Sequence, residues 1–69
     1  MKRTNYRTIN FMKMRKLRLR AGMTQKQLGE EVLVTASMIN QIEHGKKGAS
    51  RELIKDIAKV LDVSPRELL

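Results

Sequence analysis

Apolar residues return along this chain at helical spacing and never in the alternation of a half-buried strand. From Asn10 to Ala21 the spacing predicts a first helix. Met14, Leu17 and Ala21 share one face of a 100°-per-residue wheel with Phe11 at its edge, and Lys13, Lys16 and Arg20 form a basic stripe beside them. Gly22 supplies a left-handed stop. Thr24 then reads as the N-cap of a second helix, with Gln27 three residues on as the other half of a capping box. Leu28 and Val32 are its buried positions, and Gly29 leaves room for another helix to approach. Leu33-Val34 forms the turn, and Thr35 caps a third helix. There Ile39 and Ile42 point inward, while Ala36, Ser37, Asn40, Gln41 and His44 cover about 140° of the opposite surface. Gly45 ends it.

Beyond the connector KKGA, Ser50 is the expected N-cap of a fourth helix over residues 51–61, with Leu53, Ile54, Ile57, Val60 and Leu61 as a broad apolar stripe. Ser64-Pro65-Arg66-Glu67 announces a fifth: an N-cap, proline at the first position and glutamate closing the box. The end at Leu69, within that fifth helix, suggests a truncation. No internal repeat or low-complexity tract interrupts the pattern. The expected fold is all-α, a compact bundle of five short helices over residues 9–69. A bent pair of helices, 2 and 3, carries a polar front on its second member, which is a helix-turn-helix unit. Residues 1–8 lack apolar periodicity and read as a flexible basic arm.

Charge sharpens this picture. Eight Lys or Arg and no acid occupy residues 1–20, against seven bases and seven acids in residues 21–69, so the net +8 belongs to the arm and first helix. A polyanion is the expected partner, nucleic acid ahead of an anionic membrane. With 69 residues the chain makes one small domain of marginal stability, and without cysteine it has neither disulfide nor thiolate metal site. No apolar run approaches a membrane span or follows the basic start as a signal sequence would, so the expected location is the cytoplasm, on the nucleoid. One histidine, no paired acids in a cleft and no glycine-rich phosphate loop argue against an enzyme, and no cofactor or metal is expected.

Three segments, LRLRAGMTQKQLGEE, MINQIEHGK and SRELIKDIAKVLDVSPREL, together resemble the phage repressor and Cro-type (XRE-like) helix-turn-helix family in order and spacing, over roughly residues 9–69. The resemblance implies a lambda-repressor-like bundle whose helix 3, about residues 35–44, enters a DNA major groove. It implies that Gln25 meets a phosphate and braces the reading helix, and that Thr35 caps that helix and touches backbone. Ala36, Ser37, Asn40 and Gln41 would then face base edges, and Lys46 and Lys47 would lie along phosphates. Arg18 and Glu43 match an internal ion pair. Two positions depart from the family pattern. Leu33 stands where glycine usually takes a positive φ, which points to a looser turn, since a left-handed Leu costs roughly 1–2 kcal/mol. Ala36 replaces a long polar reader and can touch only a thymine methyl.

Lys13, Lys16 and Arg20 join Lys46 and Lys47 as expected phosphate partners, and Lys2, Arg3 and Arg7 of the arm are placed in an adjacent minor groove. On that basis the expected function is a sequence-specific regulator of transcription on double-stranded DNA, a repressor acting as a homodimer on a two-fold operator. The apolar face of helix 4 and the terminal Leu68 and Leu69 are its candidate contacts, although for helix 4 closing the domain's own core is the preferred reading. The alternative is a small antitoxin-like regulator in which holding a protein partner comes first. DNA bending in recombination ranks below these. RNA binding ranks last, because Tyr6 and Phe11 are the only aromatics.

Overall fold

Each helix begins where a short side chain can accept an otherwise orphaned backbone N–H. In the computed structural model, which describes residues 6, 7 and 9–69, Asn10 caps α1 (Phe11–Arg20) and Thr24 caps α2 (Gln25–Val32). Thr35 caps α3 (Ala36–Glu43), and Ser50 caps α4 (Arg51–Val60). The capping box at Thr24 is complete: Gln27 N donates to Thr24 Oγ1 at 3.0 Å and Thr24 N to Gln27 Oε1 at 2.8 Å. Helices α1, α3 and α4 end alike, the residue two past each helix left-handed (Gly22, Gly45 and Asp62) and the next N–H reaching back to the last turn.

Several expectations change. The described residues hold four α-helices rather than five, because Pro65–Leu68 is a 3-10 helix. Its glutamate does not close a capping box: Glu67 leaves Ser64 and pairs with Lys13 Nζ at 2.6 Å, where a full charge is the better donor. A small sheet also exists. Tyr6–Arg7 forms β1, antiparallel to β2 (Ala49–Ser50), with Tyr6 opposite Ser50 and Arg7 opposite Ala49. Two-residue strands leave no alternation to read, and this pairing ties part of the expected arm to the domain. Leu33, finally, is not in a looser turn: it adopts φ 63° and ψ 39°, the left-handed region itself.

The core gathers Ile9, Met14, Leu28, Val32, Ile39, Ile42, Ala49, Leu53, Ile54, Ile57, Ala58, Leu61 and Leu68. The stripe of α4 and Leu68 are thus spent inside the domain, leaving Leu69 as the exposed end. Helix α2 packs on α3 and α4, and α1 packs on α3 and the 3-10 helix. Asn10 N donates to Leu68 O at 2.7 Å, clasping the start of α1 to the last turn. At Gly29 the close neighbour is the turn, not another helix: a Cβ there would lie 2.6 Å from Val34 O. No described helix is long and apolar enough to cross a membrane.

Candidate nucleic-acid interface

Helix α3 divides by residue type. Ile39 and Ile42 are fully buried, whereas Ser37, Asn40, Gln41 and His44 are exposed and Ala36 is half-buried. Thr35 Oγ1 accepts from Met38 N at 3.1 Å, fixing the first turn. At the other end Gly45 (φ 71°) turns the chain into the exposed Lys46 and Lys47. The ring of Phe11 fills the space a side chain at Gly45 would need, 2.9 Å from an ideal Cβ, so α1 buttresses the end of α3.

Beneath the polar face lies a network of charge. Arg18 Nε and Nη2 reach Glu43 Oε2 and Oε1 at 2.6 and 2.9 Å, and both residues are 6% exposed. Arg18 Nη1 donates to Met23 O at 2.8 Å, so the guanidinium also holds the link between α1 and α2. Gln25 Nε2 donates to Glu43 Oε1 at 3.1 Å, and Asn40 Nδ2 donates to Gln25 Oε1 at 3.4 Å. Burial alone would push the Glu43 carboxyl up. Hydrogen bonds from Arg18 and Gln25, with the charges of Arg18 and Arg15, outweigh it and hold the carboxyl below its usual 4.5. Every fully buried side-chain polar atom of the described residues has a partner. His44 Nδ1 lies 2.8 Å from Asn40 O. Since a carbonyl only accepts, Nδ1 carries the proton and Nε2 remains for other contacts.

The basic residues of α1 divide between two sides of the helix. On one side Phe11 meets Gly45 and Arg18 meets Glu43, so this side faces α3. Lys13, about 160° away from Phe11 on the wheel, pairs with Glu67. Arg20 and Lys16 project on the side of Lys13, Lys16 about 60° from it and about 140° from Phe11; both are exposed. Arg15 lies only about 40° from Phe11, is exposed, and its charge bears on Glu43. It was absent from the sequence-based set, although its spacing of three from Arg18 was the available signal. Gln25 is half-buried between Glu43 and Asn40, and Lys2 and Arg3 lie outside the described residues. Arg7 contributes its backbone to β1. No group of His, Asp and Glu among the described residues is placed to hold a metal ion.

This arrangement has counterparts in known proteins. A helix-turn-helix family model matches residues 14–68. The control protein C.BamHI of Bacillus amyloliquefaciens is 35% identical over 66 residues, covering 94% of this chain and 82% of the relative. Among solved structures, the restriction-modification controller protein C.AhdI from Aeromonas hydrophila superposes with a TM-score of 0.80 at 30% identity, over 86% of each chain. The P22 c2 repressor, solved in complex with a synthetic operator, gives a TM-score of 0.78 at 25% identity, over 86% of this chain and 89% of that one. A capped helix pair with a polar outer face, matched over most of its length by such relatives, places the chain in the helix-turn-helix family, as a DNA-binding regulator of transcription.

Proposed function

We propose that the chain is a control protein of the kind its two controller relatives are named for, regulating restriction-modification genes by reading an operator with α3. The observation that carries this reading is the split of α3: both isoleucines fully buried, three polar side chains outward with His44 at the cap, and two exposed lysines just beyond Gly45. Ser37, Asn40 and Gln41 face base edges and Ala36 touches a thymine methyl at most. Thr35, Gln25, Lys46 and Lys47 meet the sugar-phosphate backbone, joined by Arg15 from the α3 side of α1. Lys16 and Arg20 add longer-range attraction, and Lys13, already paired with Glu67, adds little. Lys2, Arg3 and Arg7 are assigned to the neighbouring minor groove on charge alone.

One recognition helix spans few base pairs, so two copies act as a homodimer on half-sites about one helical turn apart. Regulation then consists of occupying DNA where polymerase must bind, in the cytoplasm and without a catalytic step. Selection of duplexes from a random pool, followed by salt titration of the winners, tests the assignment. The expected result is a two-fold symmetric site, with Asn40→Ala or Gln41→Ala losing about 1–3 kcal/mol of preference at particular base pairs. Enrichment of no sequence, or uniform loss over all sequences in both variants, would refute base reading by α3.

A further inference from the structure

Four side chains connect the core of the domain to its outer face, and each link has a fixed polarity. The Arg18 guanidinium only donates, and the ionised Glu43 carboxylate only accepts. Gln25 must therefore turn its NH2 toward Glu43, as it does at 3.1 Å, which points its carbonyl oxygen at Asn40. That oxygen only accepts, so Asn40 must turn its own NH2 inward, as it does at 3.4 Å. With the NH2 of the exposed Asn40 held inward, its oxygen takes no part in the relay and is left, with the second N–H, for an outside partner.

We propose that this relay sets the donor and acceptor polarity of the reading surface. Asn40 meets DNA oxygen-first, accepting from an exocyclic amino group, N6 of adenine or N4 of cytosine. The inference rests on α3 being the DNA-reading helix. A free asparagine amide rotates by half a turn at little cost and accommodates a donor or an acceptor in the same place. Here that rotation would set Asn40 oxygen against Gln25 oxygen, or force Gln25 to set its own oxygen against the Glu43 carboxylate. Gln25 is thus a positioning residue for base choice, and the buried ion pair is the fixed reference from which the orientation propagates.

The test starts from duplexes that the wild-type protein selects. The base pair whose preference disappears in Asn40→Ala is the one Asn40 reads. At that pair, removing the amino group (purine for adenine, 2-pyrimidinone for cytosine) weakens wild-type binding about tenfold, whereas removing the exocyclic oxygen of the opposite base has an effect of less than about twofold. In Gln25→Ala the amide is released and the gap between the two analogues closes. Gln25→Met, which keeps length without the amide, gives the same result, and circular dichroism checks that both variants are folded. Loss of a phosphate contact by Gln25 would lower affinity for every duplex alike and leave the gap untouched. The relay is overturned if oxygen removal is the costly change, if the gap survives both Gln25 variants, or if Asn40→Ala changes no preference; DNA reading by α3 stands in each case. A wild-type protein that selects no sequence overturns the DNA-reading assignment, and the relay with it.

Discussion

Leu33 holds a left-handed backbone (φ 63°) and is 91% exposed, so it bears the strain of the turn and gains little from packing. Leu33→Gly removes that strain at some cost in unfolded-chain entropy and is expected to stabilise the domain by about 1 kcal/mol. A thermal melt should show a rise of about 4–8 °C for a domain of this size; an unchanged or lower midpoint would show the conformation to be unstrained. The opposite case is Glu43. Its loss leaves the Arg18 guanidinium buried without a partner, and Glu43→Ala is expected to cost about 3–5 kcal/mol in urea unfolding. The carboxyl is held below its usual value in the folded state, so the stabilisation is complete at neutral pH and drains away as pH falls below 4.5 through the depressed value. An Arg18→Met/Glu43→Leu variant should lack that part of the acid slope. Equal slopes in both proteins would refute the linkage. The pair was legible in the sequence through resemblance and through the place of Arg18 at the border of an apolar face. The extension through Gln25 to Asn40 was not, because it joins two helices and the core at distances only the folded chain defines.

At the scale of elements, the bend between α2 and α3 depends on close approach of backbone to backbone. Gly29→Ala would place a methyl group 2.6 Å from Val34 O, and neither partner is a side chain that can swing aside. The expected outcome is destabilisation by about 1–3 kcal/mol with weakened operator binding, measured by urea unfolding and by gel shift. Full retention of both would mean that the turn tolerates a wider angle. Helix starts were readable here because caps are local: Thr24 with Gln27, Thr35 and Ser50 satisfy N–H groups three residues away. The last element was misread for the complementary reason. The Ser-Pro-Arg-Glu signal is sound locally, but a lysine from α1 competes for the glutamate and the segment closes as a 3-10 turn.

Across the whole molecule, the 3-10 turn is a closing piece of the core. Leu68 is fully buried and its carbonyl receives Asn10 N, so Leu68→Ala is expected to cost about 2–5 kcal/mol. A loss below 1 kcal/mol would assign Leu68 to an intermolecular contact instead. The net charge of +8 supplies attraction to DNA, but only the folded arrangement says which cations touch it. Arg15→Ala is expected to lower the slope of log K against log salt by about one, as for one lost phosphate contact, while Lys13→Ala, released from Glu67 rather than from DNA, leaves the slope unchanged. The reverse pattern would put the other side of α1 against the duplex.

What the chain determined by itself was set by neighbours along the backbone: four α-helices, the caps at Thr24, Thr35 and Ser50, the stops at Gly22 and Gly45, the inward isoleucines of α3 and its polar front. Periodicity and capping are short-range, so they survive without knowledge of the fold. Tertiary structure decided the pairings between distant segments: β1 with β2, Lys13 with Glu67, and Gln25 between Glu43 and Asn40. Several polar partners were available to each of these groups in sequence, and only packing of the helices around one core brought a single partner within hydrogen-bonding reach.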